Sequence, residues 1–162
     1  MEKFYGSPKR QDGLYKVGRN TYELIYGFGE DEQGGWNWRK RFDHKPTTEE
    51  IKEAIIGTIN KVTDLKILTG FVWSGKPVWL SAENQMNFKA AYDITIQTDG
   101  NNLPIKFKLG EDEQGEPVYH TFTKKEPFSD FIIKAFAFIN ASLNEGWKEK
   151  DGVDWIVYQT IQ

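Results

Sequence analysis

Two alternating runs of apolar and polar residues, separated by the hexamer Gly29–Gly34, constrain the fold of this chain more than any other feature. The apolar members are Tyr22, Leu24, Tyr26 and Phe28 before the hexamer and Trp36, Trp38 and Phe42 after it. Because successive side chains of a β-strand point to opposite faces, this alternation is typical of strands with one apolar face. The glycines of the hexamer permit the backbone angles that a tight reversal needs. The sequence therefore predicts a β-hairpin that begins near Thr21.

The hexamer GEDEQG occurs again, letter for letter, at Gly110–Gly115. Alternating residues flank this second copy too, so a further β-hairpin is predicted there. The flanking sequences are unrelated, however, because superimposing the two hexamers places Trp36 on Pro117. A duplicated domain would preserve its apolar face. We interpret the repeat as one turn used twice.

Two helices are predicted in the middle of the chain, because each begins with residues that typically cap a helix. Thr47 and Glu50 have the spacing of a capping box, in which each side chain binds the other residue's backbone N–H, and apolar residues follow at helical spacing until Gly70. A tight hairpin is expected around Ser74–Lys76. Ser81 is then a typical N-cap for the second helix.

The third predicted helix runs from about Glu126 to Glu145 and ends at Gly146, because glycine commonly terminates helices. Its apolar residues lie on nearly all sides, so most of its surface must be covered. Any part that one domain cannot cover belongs to an interface between subunits. The candidate interface residues are Phe128, Phe131, Ile132, Phe136 and Phe138. A final strand is expected at residues 155–158.

The first 20 residues have no apolar period and contain several glycines, so they predict a flexible arm. This arm is basic, and it is either a solvated terminus or a tether to an acidic neighbour. Residues 21–162 predict a single domain, with a hairpin and a helix over 21–66 and the rest of the core over 67–162. The predicted fold class is α+β, in which antiparallel β-hairpins alternate with about three helices packed on one sheet face.

The composition excludes several classes of protein. The 162 residues include no cysteine, so disulfides and thiolate metal sites cannot form. The net charge of -3 argues against a nucleic-acid partner, because domains that bind nucleic acids are normally strongly basic. The first residues lack the apolar core of a signal peptide, and the most apolar stretch, residues 131–143, is too short to span a bilayer. We expect a soluble protein with no membrane partner.

No arrangement of residues predicts a catalytic, cofactor or metal site. Each hexamer carries three adjacent carboxylates, but calcium-binding loops space their ligands over about twelve residues, so solvated hairpin tips are expected. His44 and His120 are far apart in the sequence and not at a ligand spacing. Phosphate-binding and nucleophile-elbow motifs are absent. A carboxylate pair for glycoside hydrolysis stays open, since 24 acidic residues offer many unspecific pairs.

Four tryptophans are candidate binding residues, because flat exposed rings bind the apolar faces of sugars and anchor protein partners. Trp36 and Trp38 share a predicted strand face, and Trp73 and Trp79 flank the predicted hairpin around Ser74–Lys76. The alternative is that these rings fill the core between sheet and helices. The sequence leaves both alternatives open.

Several segments between residues 36 and 155 form a further pattern. They are Phe42–Thr47, Glu50–Lys52, Leu68–Trp73, Pro77–Gln85, Asn87–Asp93, Leu103–Pro104, Pro117–Phe122, Gly146–Trp147, Lys150–Asp151 and Asp154–Trp155. In these segments the chain resembles an uncharacterised domain family found in tail-fibre and tail-associated proteins of bacteriophages and prophages, especially those of gut bacteria. The residues that carry the resemblance are structural and include no catalytic motif.

The resemblance implies a virion or tail-assembly context, with the protein made in the bacterial cytoplasm and carried in the particle. We therefore expect a non-enzymatic structural or assembly component that contacts other virion or tail proteins and forms a homo-oligomer. The alternative is a carbohydrate-binding module that recognises a cell-surface glycan through exposed tryptophans. A glycoside hydrolase is the third hypothesis.

Overall fold

The computed structural model describes residues 1–162 and contains three α-helices and eight β-strands, with 43% of residues in helices and 29% in strands. The strands are β1 (Glu2–Tyr5), β2 (Gly13–Lys16), β3 (Tyr22–Asp31), β4 (Gly34–Phe42), β5 (Phe71–Trp73), β6 (Lys76–Val78), β7 (Ile105–Glu111) and β8 (Pro117–Phe122). The helices are α1 (Thr48–Thr69), α2 (Ala82–Gln97) and α3 (Lys125–Asp151), with a short 3-10 helix at Trp155–Tyr158. The sheets are antiparallel, which confirms the predicted α+β class. None of the helices combines the length and apolar character needed to cross a bilayer.

The chain forms two compact units, unit 1 (Met1–Asn60 and Lys148–Gln162) and unit 2 (Lys61–Trp147). The buried apolar side chains form two separate clusters, one in each unit. The structure therefore corrects the prediction of a single domain over residues 21–162. The physical reason is that both ends of the chain contribute side chains to the core of unit 1.

Unit 1 is built on a four-stranded sheet with the strand order β1-β4-β3-β2. Its central pair, β3 and β4, is the hairpin predicted around the first hexamer. The register shifts at a bulge, because Tyr26 pairs with Trp38 whereas Gly29 pairs with Trp36. One face of the sheet packs against the first part of α1. The buried apolar residues of this core are Leu14, Leu24, Tyr26, Phe42, Ile51, Ala54, Ile55, Ile59 and Tyr158.

Helix α1 begins with the predicted capping box. The Glu50 carboxylate accepts a hydrogen bond from the backbone N–H of Thr47 (2.8 Å), and the Thr47 hydroxyl accepts one from the backbone N–H of Glu50 (3.2 Å). Both donors would otherwise lack a partner at the helix end. This prediction depended on two residues three positions apart, and it is confirmed.

The predicted flexible arm is not an arm, because residues 1–20 contain two strands of the sheet. β1 pairs with β4, with Phe4 opposite Asn37, and β2 pairs with β3, with Leu14 opposite Leu24. Leu14 is buried in the core of unit 1. The sequence prediction failed because a strand of four residues is too short for alternation to be visible among the surrounding glycines.

Residues Trp155–Tyr158 form a 3-10 helix in place of the predicted strand. The Asp154 carboxylate accepts a hydrogen bond from the backbone N–H of Ile156 (3.0 Å), which favours a turn over an extended chain. Tyr158 is buried in the core, while Ile156 is exposed. The prediction failed because an apolar run of four residues fits either a helical or a strand period.

Unit 2 contains the hairpins β5–β6 and β7–β8, helix α2 and the parts of α1 and α3 within residues 61–147. Both hairpins were predicted. Ser81 caps α2 as predicted, since its hydroxyl accepts a hydrogen bond from the backbone N–H of Asn84 (3.2 Å). Aromatic rings dominate the core, where Phe122 stacks on Phe128 with centroids 4.5 Å apart. Such pairs add to the stabilisation that burial alone provides.

Helix α3 continues through Gly146 and ends at Asp151, whereas the sequence predicted that it ends at Gly146. A Cβ atom at Gly146 would lie 2.5 Å from the Oγ1 atom of Thr63 on α1. The glycine therefore permits close packing of two helices and does not terminate one of them. Glycine is compatible with both roles, and only the structure distinguishes them.

The two copies of GEDEQG share a turn centred on their aspartate, as predicted, but the strand pairing around it differs, because Asp31 pairs with Gly34 whereas the last pair before the second tip is Glu111 with Pro117. In each, the aspartate Oδ1 atom accepts a hydrogen bond from the backbone N–H two residues later, at 3.0 Å for Asp31 and 2.9 Å for Asp112. The closing glycines, Gly34 and Gly115, have φ angles of 107° and 81°, a region that favours glycine. The repeat is thus a property of the local turn.

Candidate functional site

A cleft in unit 1 brings the two tryptophans of β4 together with polar groups from distant parts of the sequence. Its volume is about 320 Å³, which is within the range of small-molecule sites, roughly 300 to 1,000 Å³. The residues that carry its chemistry are Arg10, Tyr26, Trp36, Trp38 and Glu149. They come from the loop after β1, from the central hairpin and from the last turns of α3. The cleft is therefore the candidate binding site of unit 1.

Trp36 is held in place by its neighbours. Its ring lies over Gly29, where an added Cβ would be 2.1 Å from Cζ2. The Nζ atom of Lys3 lies 4.2 Å from the centroid of the same ring, a cation–π distance. The edge of Trp36 meets Trp38, with centroids 5.6 Å apart and an interplanar angle of 70°. Trp36 and Trp38 are both half-buried, and both line the cleft.

The polar groups of the cleft hold fixed orientations. The Tyr26 hydroxyl donates a hydrogen bond to Oε1 of Glu149 (2.8 Å). Burial, and then this bond to Glu149, raise the pKa of Tyr26, so the phenol stays a donor at neutral pH. Arg10 Nε donates to Oδ2 of Asp12 (2.8 Å), which anchors the guanidinium while its outer N–H groups have no protein partner. The cleft therefore presents both donors and an acceptor.

This arrangement suits the recognition of hydroxyl groups beside an apolar ring. The second oxygen of Glu149 has no hydrogen-bond partner within the protein and can accept from a ligand. One cation, Arg10, and one carboxylate, Glu149, line the cleft, and Arg10 is already paired with Asp12, so no unpaired cation is left for an anionic ligand. Glycoside hydrolysis by the two-carboxylate mechanism needs a pair of acids about the scissile bond. Glu149 has no such second carboxylate in the lining of this cleft.

Trp73, predicted as a possible platform, is a core residue of unit 2. Only 6% of its surface is exposed, and its Nε1–H donates to Oδ2 of Asp130 (2.9 Å). Its ring contacts those of Phe122 and Phe131, with centroids 5.4 and 5.3 Å away. The platform prediction for Trp73 is therefore wrong, because alternation along β5 turns this side chain inward.

Trp79 lies half-buried in a groove of unit 2 that also contains Val72 and Pro77. The carboxylates of the second hexamer border this groove, which has a volume of about 600 Å³. Lys108 Nζ lies 5.4 Å from the Trp79 ring centroid. Trp79 lies in unit 2, whereas the Trp36–Trp38 pair lies in unit 1.

The apolar face predicted as a subunit interface on α3 is largely the core of unit 2. Phe128 and Phe131 have no exposed surface, and Ile132 is buried. Phe136 and Phe138 are half-buried and pack against the same core. The helix can carry so many apolar residues because hairpins and helices cover it within its own unit. The interface prediction is therefore wrong for Phe128, Phe131 and Ile132.

Neither histidine belongs to a cluster of metal ligands, and no group of three histidine, aspartate or glutamate side chains is placed to hold a metal ion. His44 lies between the carboxylates of Asp43 (2.8 Å) and Glu50 (3.0 Å), and its pKa is raised by these hydrogen bonds. His120 lies 2.9 Å from Lys76 Nζ, and burial, followed by this cation, lowers its pKa. Both are accounted for by local contacts.

Comparisons of the chain with protein-family models, with curated proteins and with solved structures give no match. The class that the structure itself defines is a two-unit α+β protein with an aromatic and polar cleft in unit 1.

Sequence reasoning identified Trp36 and Trp38 but missed Arg10, Tyr26 and Glu149. Tyr26 could have been found, because the alternation of β3 places it on the same face as the tryptophans once the hairpin is assumed. Arg10 and Glu149 carry no local signal, since one lies in an irregular loop and the other in a long helix.

Proposed function

We propose that this protein is a non-enzymatic component of a phage-like particle, associated with its tail or tail fibre, and that it binds a cell-surface glycan in the cleft of unit 1. The observation that carries the binding proposal is the joint placement of Trp38, Arg10 and Glu149 around one cleft. Sugar-binding sites combine an aromatic face for C–H groups with convergent donors and acceptors for hydroxyls.

The cleft favours an uncharged, hydroxyl-rich sugar. Its only cation, Arg10, is paired with Asp12, so a strongly acidic sugar would meet Glu149 without a spare cation to compensate. Charged hydrogen-bonding groups bind neutral hydroxyls more strongly than neutral groups do. A neutral hexose unit at the end or within a polysaccharide chain is therefore the proposed ligand class.

The particle context is supported by the resemblance of residues 36–155 to the tail-associated phage family. We propose that the protein is carried in the virion after synthesis in the bacterial cytoplasm. Its test is the genomic neighbourhood: tail or capsid genes on both sides are expected. A gene flanked only by metabolic genes would contradict the particle context and leave the cleft to be tested separately.

The binding proposal is tested by titrating neutral oligosaccharides while following tryptophan fluorescence and calorimetric heat. The informative variant is Glu149→Gln, whose amide oxygen still accepts from Tyr26 but carries no charge. We expect its affinity to fall about tenfold, because a charged acceptor exceeds a neutral one by about 1 kcal/mol or somewhat more. The matched control is Glu53→Gln, an exposed residue on α1 in the same unit. Equal affinities for the two variants, or no binding to any neutral glycan, would contradict the proposal.

Particle assembly through protein–protein contact is the second candidate function. It is favoured by Val62 and Leu65, two exposed apolar residues that lie three positions apart on α1 and are therefore neighbours on the helix surface. Contiguous exposed apolar surface marks interaction sites. Self-association that persists at high salt, measured by light scattering, would support this candidate, because apolar contacts are not screened by ions.

A further inference from the structure

The sheet of unit 1 has two edge strands, and the chain covers only one of them. β2 forms the first edge, and the last residues of the chain pair with it, because Leu14 forms a parallel bridge with Ile161. The backbone N–H of Lys16 also donates to the carbonyl of Gln162 (3.2 Å). β1 forms the second edge, and its strand partner is β4 alone. An edge strand presents N–H and C=O groups to any further strand, so the open side of β1 is an interaction surface.

The pairing of β1 with β4 determines which backbone groups face this open side. In an antiparallel pair, directly opposite residues alternate between those that exchange two hydrogen bonds and those that exchange none. Gly6 lies opposite Gly35 by continuation of the register, and its N–H donates to the Gly35 carbonyl (2.9 Å). Phe4, two residues earlier, therefore also turns its backbone groups toward β4. Lys3 and Tyr5 turn their N–H and C=O groups to the open side.

The side chains of β1 are all exposed, and two of them are aromatic. Phe4 is 44% exposed and Tyr5 is 40% exposed. The Arg39 guanidinium carbon lies 5.6 Å from the Phe4 ring centroid, on the side of β4. Aromatic side chains on one strand contact those of the next strand where one is present. β1 thus offers apolar surface together with hydrogen-bonding groups.

Lys3 does not protect this edge in the usual way. Lysine on an edge strand commonly prevents pairing, because its charge would lie against the incoming strand. Here the Lys3 ammonium is paired with Asp31 (2.6 Å) and lies 4.2 Å from the ring centroid of Trp36. Both partners belong to the central hairpin, so the side chain leans across β4 and away from the open side. The edge therefore stays accessible to another strand.

A second copy of β1 fits the open side in one register. Hydrogen bonding requires that residues with outward backbone groups lie opposite each other, so Lys3 and Tyr5 must face the same two residues of the second copy. Lys3 opposite Lys3 would place like charges side by side, which destabilises a pair. Tyr5 opposite Tyr5 would require Ser7 to pair with Lys3, but Ser7 is buried and its N–H already donates to Gly35 (3.0 Å). Lys3 opposite the second copy's Tyr5 is the remaining register.

We propose that two copies of the protein pair antiparallel through β1 and join their four-stranded sheets into one continuous sheet. Lys3 and Tyr5 of each copy exchange backbone hydrogen bonds with Tyr5 and Lys3 of the other, and the contact is isologous. The two Phe4 residues then lie opposite each other at a position without hydrogen bonds, where side chains are closest and Cα atoms are about 4.5 Å apart. The contact lies within unit 1, and it depends neither on glycan binding nor on the particle context.

Such a dimer is weak, because the four residues of β1 are far fewer than the roughly 20 to 30 residues that each side of a stable interface contributes. We expect dimers by sedimentation equilibrium at protein concentrations of about 0.1 to 1 mM. Association through Val62 and Leu65 is distinguished from this contact because substitutions on β1 would leave it unchanged.

The decisive experiment introduces single cysteines, because the chain has none of its own. In a glutathione redox buffer, Phe4→Cys is expected to form a disulfide-linked dimer, since disulfides span Cα distances of about 4.4 to 6.8 Å. Lys3→Cys and Tyr5→Cys should each stay unlinked, because like positions lie diagonally, about 7 to 8 Å apart. A mixture of these two variants should form the mixed disulfide, because their cysteines lie opposite each other at about 5.5 Å. Circular dichroism checks that each variant is folded.

A second test removes one outward N–H group. Tyr5→Pro lacks the N–H that faces the open side but loses no hydrogen bond to β4, and proline is tolerated on edge strands at such positions. The matched control is Tyr5→Ala, which loses the same ring and keeps the N–H. We expect Tyr5→Pro to dimerise at least about tenfold more weakly than Tyr5→Ala, because each dimer loses two hydrogen bonds.

The proposal is overturned if the wild type stays monomeric at about 1 mM, if a cysteine at position 4 links no faster than one at position 3 or 5, or if Tyr5→Pro and Tyr5→Ala dimerise equally. A monomeric wild type that binds a synthetic extended peptide of alternating valine and threonine would assign the edge to a strand of another protein and would equally reject self-pairing. Phe4 and Tyr5 do not line the cleft, so failure of glycan binding and failure of dimerisation are separate results.

Discussion

Replacing Gly35 by alanine tests whether the N-terminal segment is part of the sheet. Gly35 lies near the start of β4, and a Cβ atom there would be 2.1 Å from the backbone oxygen of Ser7. The carbonyl of Gly35 also accepts hydrogen bonds from the backbone N–H groups of Gly6 (2.9 Å) and Ser7 (3.0 Å). The obstacle is backbone, which no rotamer change can move aside. The segment after β1 must therefore shift away from β4.

The energetic cost of this shift follows from the hydrogen bonds that it breaks and from the overpacking that remains. Two backbone hydrogen bonds contribute about 1 kcal/mol each, and overpacking adds about 1 to 3 kcal/mol. Alanine in place of glycine recovers about 0.5 to 1 kcal/mol by restricting the unfolded chain. We expect a net loss of about 2 to 4.5 kcal/mol in the free energy of unfolding of unit 1. With a denaturant slope of about 2 kcal/mol per molar urea, the midpoint falls by about 1 to 2 M.

The assay combines urea unfolding with hydrogen exchange read on peptides from residues 1–16. Exchange in β1 should rise in Gly35→Ala, because the strand loses its attachment to β4. The control is Gly57→Ala on α1, where an added Cβ meets nothing within 4 Å. That variant should gain up to about 1 kcal/mol from helix propensity. Opposite signs for the two glycines are expected.

An unchanged urea midpoint in Gly35→Ala, with β1 exchanging as fast in the wild type as in the variant, would refute this reasoning. It would mean that residues 1–20 are the flexible arm that the sequence alone suggested.

Two further predictions follow from the core and from the start of α1. Phe128→Ala should lower the free energy of unfolding of unit 2 by about 3 to 5 kcal/mol, measured by denaturant unfolding, because Phe128 has no exposed surface and stacks on Phe122; a loss below about 1 kcal/mol would return it to the candidate interface residues. His44 has a pKa raised by Asp43 and Glu50, so its stabilisation is present below the ordinary histidine pKa and is lost as pH rises through the raised value. The melting temperature should therefore fall between about pH 6 and pH 8 in the wild type and not in His44→Gln. Melting temperatures that change with pH in the same way in both proteins would contradict this prediction.

The elements that the sequence predicted correctly are those whose signals are local. The turn at each hexamer, the Thr47–Glu50 capping box and the Ser81 cap each depend on residues within about four positions, and each forms as expected. Local hydrogen bonds of this kind form whatever the rest of the chain does. For the same reason the α+β class could be predicted, since it follows from the number and order of these elements.

Two of the errors concern elements whose state is decided by distant partners. β1 is extended because it pairs with β4, and nothing within its four residues requires a strand. Gly146 stays helical because Thr63 packs against it, whereas a glycine without that neighbour would favour a helix end. In both cases the local preference is weak, and tertiary contacts override it.

The candidate site could likewise be predicted from the sequence only in part. The alternation of β4 is enough to place Trp36 and Trp38 on one face, so the aromatic half of the cleft was predictable. Its polar half depends on Tyr26 donating to Glu149, which joins two residues 123 positions apart. Closure of such a long loop is determined by the burial of the whole unit 1 core, because one partly buried hydrogen bond contributes only about 1 kcal/mol. The polar groups of the candidate site are thus placed by the tertiary fold, and substitutions that loosen the core of unit 1 should weaken the proposed glycan binding even where they touch no residue of the cleft.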